Sequence, residues 1–410
     1  CEDHTTPIWV WQTLAGYQTA TDVGPHAKID LDMEELEIKV GEYDINPNWI
    51  TEAMFIYENG GNGLCQQTDV DAAMAGTATP WCTDTTQAIG NSQKSSSIRT
   101  LKGFATKDYS TDKRTGADGG NYGEQMPPIY AGYWNDWAWA DTFITKDYSA
   151  IAKPSGWNQL MKKGANYQAV WMYVLHELED AIGDCYDGDI YSDDCAPDGT
   201  AGPCGGAPHA WDEAWAFYAG SQVAATAADS VVDDGTLIWE LAEKRGKDFG
   251  TTHSTGPATV NVKLLAKFIE GRDRIIAADC AGAEPLVEDI RKLMTVPLVQ
   301  GTLKYAYKAD PANAIGACVA DAGKNAMTAS DDCVKSWAEA WAFAAAVLPQ
   351  VHQCDAAAAA TIRDNVDITA VEPMKDGFAA VKAALESTYT CLGITSVSYT
   401  HLTLPTILLV

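Results

Sequence analysis

The sequence predicts a mainly α protein: a multi-helix bundle of two clear internal helical repeats and one degenerate repeat, with long disulfide-closed loops. Three observations predict it. Apolar residues recur at spacings of three and four through most of the 410 residues, the period that lays one helix face on a core. Runs of alternating apolar and polar residues, the strand signature, are scarce. The word EAWAF occurs twice, at 213–217 and 339–343, and TEAMFIYENG at 51–60 is a weaker copy of DEAWAFYAG at 212–220.

Taken in order, the chain opens with an aromatic strip, IWVWQTLAGY, and passes into an acidic helical pattern that Asp44–Pro47 breaks. TEAMFIYENGGNG reads as a helix ended by glycines. Residues 60–100, rich in Gly, Ser, Thr and Gln, read as a long loop tied by Cys65 and Cys82. SIRTLKGFATKDY is a short helix, 111–125 is a Gly-rich surface loop, and IYAGYWNDWAWADTFITKDY after Pro127 and Pro128 is helical by its spacing. Two helices follow, NYQAVWMYVLHELEDAIGDC and GAPHAWDEAWAFYAGS, joined by an acidic, cysteine-bearing loop. Further helices are TLIWELAEKRGKDFG, stopped by Gly250, and the stretches 259–280, 284–310, 335–350 and 376–393. Pro297 is expected to break or kink the 284–310 helix. The repeats divide the chain into a degenerate unit (1–150), a central unit carrying the candidate site (151–280) and a C-terminal unit (281–395). The tail 396–410, SVSYTHLTLPTILLV, has no acidic residue and is set aside as foreign to the rest.

Fifty-six acidic against 28 basic residues give a formal charge of −28. No basic stripe is left to neutralise phosphates, which excludes nucleic acid as a partner, while so negative a field concentrates cations. No run of 18 apolar residues is present, so no membrane-spanning helix is expected. The eleven cysteines fall in local clusters (Cys65/Cys82, Cys185/Cys195/Cys204, Cys318/Cys333, Cys354/Cys391) without a C-x-x-C pair. They read as short disulfide loops formed in an oxidising compartment, with Cys1 or Cys280 left over. A start at Cys1 without Met is what signal-peptide removal leaves.

The chemistry gathers in 166–221. His176 stands three residues before Glu179 and four before Asp180, and His209 three before Asp212 and four before Glu213. Residues at these spacings share a helix face, so each helix offers a His/carboxylate pair. Glu177 after His176 begins the H-E-x-x-H pattern of zinc proteases, but position 180 is Asp. Imidazole with carboxylate suits iron, manganese or zinc, as in iron-carboxylate bundles; the plain alternative is surface ion pairs or caps. Glu213 and Glu339 hold the same place in EAWAF, and Glu52 in the weak copy. A carboxylate on an aromatic face needs a metal or a base such as Arg245, Arg272 or Arg274. The histidines are not repeated: Lys335 stands in the place of His209, and Tyr305 or Ala306 in that of His176. Asp187–Asp189 with Asp193 and Asp194 do not form an EF-hand series and read as a disulfide loop. The Trp clusters read as core. No phosphate loop, G-x-S-x-G or nucleophile arrangement is present, and nothing demands an enzyme.

VLHELEDAIGDC, GAPHAWDEAWAFYAGS, ELAEKRGKDFGT and the second EAWAF resemble the algal Fe-assimilating proteins, the low-iron-inducible or high-CO2-inducible periplasmic proteins. The resemblance runs through most of residues 40–395. It implies a secreted or periplasmic protein that binds Fe2+ or Fe3+ before a plasma-membrane transporter or ferroxidase takes it. The matched positions are His176, Glu177, Glu179, Asp180, His209, Asp212 and Glu213. The reading is therefore an iron-binding protein with His176 and His209 as nitrogen ligands, and Glu179 or Asp180 and Glu213 as oxygen ligands. The alternative is a secreted cell-wall or surface interaction protein whose repeats are structural; a metal-dependent hydrolase stands third.

Overall fold

A computed structural model of the chain describes residues 12–60, 99–110, 114–122, 125–190, 206–223 and 235–394. Among them helices dominate. The exceptions are two short antiparallel ladders, Thr13–Leu14 with Tyr17–Gln18 and Arg114–Thr115 with Asn121–Tyr122, and an isolated bridge between Thr252 and Ala258. The first ladder turns at Ala15 and Gly16, both at positive φ (47° and 85°), the geometry that matches strand twist in a tight hairpin.

The helices follow the spacing of the sequence. They are α1 (Gly24–Ala27), α2 (Ile29–Gly41), α3 (Trp49–Asn59) and α4 (Leu101–Ala105). Gly60 at φ 66° ends α3, as the glycine run predicts. The apolar stretch after Pro127 forms two helices instead of one, α5 (Met126–Trp134) and α6 (Trp139–Thr145), because Asn135 turns left-handed at φ 53°. A long rod follows: α7 (Pro154–Gly164), a π-helical stretch (Ala165–Val170) and α8 (Trp171–Asp187). After it come α9 (Ala207–Ala219), α10 (Ile238–Phe249), α11 (Thr259–Ile276), α12 (Cys280–Ala309), α13 (Asp331–Cys354), α14 (Ala356–Val366) and α15 (Phe378–Leu392).

The core runs through all three predicted units without a gap. It includes Trp171, Trp211, Trp215, Trp239 and Trp337, each fully buried. The two EAWAF segments lie on α9 and α13, which pack against α8 and α12 respectively. Of the break or kink expected at Pro297, the break does not occur: α12 continues through it and through Pro285. Thr295, Val296, Leu298 and Val299 beside it are all buried. Gly301 lets Phe343 of α13 come so close that a Cβ would sit 2.3 Å from its ring, so tertiary packing offsets the lost backbone hydrogen bond.

Three disulfides join described residues. Cys318–Cys333 and Cys354–Cys391 are the local pairs the sequence suggests. Cys185 corrects the reading: it pairs with Cys280, 95 residues away, so Cys280 is not left over. The fold brings the last turn of α8 to the first turn of α12, a meeting that sequence proximity does not reveal. Cys1, Cys65, Cys82, Cys195 and Cys204, and the tail 396–410, lie outside the described residues. Among those described, no helix is long and apolar enough to cross a membrane.

Candidate metal centre

The start of α9 is fixed by its sequence. Gly206 sits at φ 72°, and a Cβ there would lie 2.3 Å from the Asp189 carbonyl oxygen, so only glycine permits this approach. Pro208 follows in the first turn, where its missing N–H is tolerated. His209 then stands one turn before Glu213 and beside it.

Glu213 Oε1 lies 2.8 Å from His26 Nε2 on α1, 2.9 Å from His209 Nε2 and 2.8 Å from the Arg99 guanidinium. Three nitrogens thus meet on one oxygen of a buried carboxylate. The two imidazole rings stand 5.2 Å apart at 82°. These separations match the edges of a coordination shell: with bonds of about 2.1 Å, ligand atoms at right angles stand about 3.0 Å apart.

Beside this group, on α8, lies a second. His176, Glu177 and Asp180 offer ligand atoms within 4.8 Å of one another, as do His26, His209 and Glu213. The rings of Tyr109 and Tyr173 pack against His176, at 5.7 and 5.1 Å. Asp180 is exposed, whereas His176 and Glu177 are buried.

The electrostatics of the carboxylates diverge. Burial pushes Glu213 up, but hydrogen bonds from His209 and His26, with the charges of His26 and Arg99, outweigh it and hold Glu213 well below the usual range. Burial and the neighbouring Glu213, to which Glu177 is hydrogen-bonded, drive Glu177 well above it. Their surroundings thus push the two carboxyls in opposite directions. Burial lowers His26 against the pull of Glu213, which favours the neutral imidazole a metal needs.

A family model for Fea1, low iron-inducible periplasmic protein, matches residues 9–403. The chain belongs to this family. No curated protein and no solved structure matches it. The match covers both ligand groups, and the three disulfides among the described residues suit the oxidising compartment of a periplasmic family.

Two of the seven residues singled out in the sequence stand in neither group. Asp212 accepts hydrogen bonds from Tyr17 Oη (2.6 Å), Ala20 N (2.8 Å), Thr21 N (2.9 Å) and Thr21 Oγ1 (2.9 Å). It pins the segment after the first hairpin, and Thr21 Oγ1 in turn lies 3.1 Å from His209 Nδ1. Asp212 thus sets the ring that faces Glu213, the part an outer-shell residue plays around metal ligands. Glu179 accepts from Gln125 N at 3.0 Å and lies 3.5 Å from Arg114 Nε, on the side of α8 that meets the second ladder.

His26 and Arg99 are the members that the sequence reading misses in this member of the family. A signal for His26 exists: Pro25-His26-Ala27 echoes Pro208-His209-Ala210, each with proline in the first turn of its helix. The interior bases proposed for Glu213 pair elsewhere: Arg245 with Asp248, Arg272 with Asp273 and Arg274 with Glu270.

Asp212→Asn is expected to cost the metal-free protein about 2–4 kcal/mol, because an amide cannot accept all four bonds and leaves buried donors unmatched. The pH dependence has a definite sign. Burial lifts Asp212 to about 6 despite its hydrogen bonds, above its unfolded value of about 3.9. Its protonation therefore favours the folded state at low pH, and this contribution fades as pH rises through about 6. In urea denaturation the gap between wild type and Asp212→Asn should shrink from pH 4.5 to pH 7.5. A gap that widens would contradict the assignment.

Proposed function

We propose that this protein captures iron outside the plasma membrane and holds it through His26, His209 and Glu213, for delivery to a membrane transporter or ferroxidase. One observation carries the reading: two imidazole Nε2 atoms converge on a single buried carboxylate oxygen at coordination-shell spacing. Family membership and the charge of −28, which draws cations toward the surface, support it. In this reading the iron is cargo, and no catalytic step is assigned. The donor set of nitrogen and oxygen without thiolate also admits manganese or zinc. Binding exchanges one cation for another: the ion takes the place that the Arg99 guanidinium holds at Glu213 Oε1, and Arg99, partly exposed, swings toward water.

That same Arg99 contact favours a second reading, in which the group is a structural ion network of a secreted surface protein. Elemental analysis after dialysis against iron, manganese, zinc and calcium together separates the two. Wild-type protein should retain iron, and the double variant His26→Ala with His209→Ala should bind it at least about 100-fold more weakly, the scale of a lost ligand shell. No retained transition metal in wild type would favour the structural network.

A further inference from the structure

Between α8, the N-terminal part of α12, the second ladder and the start of α5 lies a cleft of about 570 Å3 that iron binding does not use. Volumes of this order hold small organic molecules. The Cys185–Cys280 bridge ties together α8 and α12, which form two of its walls. Gly183 of α8 makes room for the ladder: a Cβ there would lie 2.6 Å from the Arg114 Cβ. Arg114 is thereby seated against α8 and lines the cleft, its side chain only 12% exposed.

The polar groups of the cleft are unequally satisfied. Arg291 is held by Glu288 and by Gln350, and Glu179 accepts from Gln125 N at 3.0 Å. Arg114 comes no closer to Glu179 Oε2 than 3.5 Å, through Nε, and that buried nitrogen makes no hydrogen bond. A largely buried guanidinium with an unmatched donor is a seat for a carboxylate, which its planar fork takes by two oxygens at once. Glu284 is the converse: its Oε2 accepts from the Tyr186 hydroxyl at 2.8 Å, and no ion pair neutralises it among the described residues. The lining as a whole sets two guanidiniums, Arg114 and Arg291, against three carboxylates, Glu179, Glu284 and Glu288. A plain anion would meet a net negative wall, and a plain cation would leave Arg114 unmatched. A molecule that carries both charges satisfies Arg114 and Glu284 together. Leu175, Met126 and Val287 add apolar surface to the same cleft.

We propose that this cleft binds a small zwitterion, an amino acid or short peptide with an apolar side chain, with its carboxylate on Arg114, its ammonium on Glu284 and its side chain against Leu175, Met126 and Val287. The site shares no residue with His26, His209 and Glu213, so it stands or falls independently of iron binding.

The experiment is equilibrium dialysis of the full chain, without metal, against L-leucine and against leucyl-leucine, two zwitterions whose charges differ in separation. Isocaproate and isoamylamine, which are leucine without its ammonium and without its carboxylate, serve as half-ligands. At least one zwitterion should bind, and each half-ligand should bind at least about 10-fold more weakly, the scale of one charge-assisted hydrogen bond. Arg114→Met and Glu284→Gln should each weaken the zwitterion by a similar factor, with far-UV circular dichroism to verify folding. Glu284→Gln should also bind isocaproate more tightly than wild type does, because the wall is then no longer negative, and a loss of fold could not produce that gain. Isocaproate held by wild type as tightly as the zwitterion would overturn the zwitterion class. Zwitterion binding untouched by both variants would place it elsewhere and overturn the site, as would no binding of either zwitterion at millimolar concentration.

Discussion

Replacing Lys163 by methionine is expected to lower the unfolding free energy by about 3–5 kcal/mol, the penalty for leaving a buried charge without its partner. Lys163 stands at the end of α7, and its Nζ lies 3.1 Å from Glu339 Oε1, with both side chains largely buried. Burial works against the ammonium, but Glu339, with Tyr167 and Tyr305 nearby, outweighs it and raises the Lys163 pKa. Tyr167 and Tyr305 stack on Phe343, at 4.8 and 5.6 Å, and close this pair off from water. The glutamate of the second EAWAF thus meets a lysine where that of the first meets two imidazoles and a guanidinium. A lysine is a poor device for holding a metal and a good one for neutralising a carboxylate. Urea denaturation of Lys163→Met tests the pair. Adding Glu339→Leu should recover most of the loss, because a buried ion pair replaced by apolar groups is often neutral. A loss below about 1 kcal/mol would mean that Glu339 relaxes into water and needs no partner.

The helices were legible because a 3.6-residue period survives in the sequence whatever it packs against, and because Gly60 and Gly250 mark ends that a backbone must turn through. The failures have physical causes. The apolar spacing of 129–148 runs through the left-handed turn at Asn135, since a single turn residue does not disturb the pattern around it. Pro297 looks like a break only when the helix is considered alone. Cys185 finds Cys280 through the docking of α8 on α12, which no local spacing encodes. The site divides in the same way. His209 and Glu213 are one helical turn apart, so their contact is written in the sequence. His26 sits on a helix of four residues, too short to show an amphipathic period, and reaches Glu213 only through the tertiary fold. Asp212 has the right spacing and the wrong surroundings: its oxygens are taken by the segment that the hairpin presents.

Glu213→Gln is expected to remove the stabilisation that iron confers, and this is a sharper result than any change in the metal-free protein. Without metal, Glu213 already balances His26, His209 and Arg99. Removing its charge should cost about 2–4 kcal/mol whether the group binds iron or merely holds the fold together. Metal-free stability therefore cannot separate a binding carboxylate from a structural one at this position. The increment due to the ion can. A ligand at 100 times its dissociation constant adds about 2.7 kcal/mol to the folded state. Anaerobic urea unfolding with and without ferrous iron should show that increment in wild type and none in Glu213→Gln. Lys163→Met should be weaker at the outset yet gain as much from iron as wild type, because its charge belongs to the Glu339 pair. If Glu213→Gln gains as much as wild type, the ion is held elsewhere. If Lys163→Met alone loses the gain, the second EAWAF, with its lysine, has been misjudged as a closed pair.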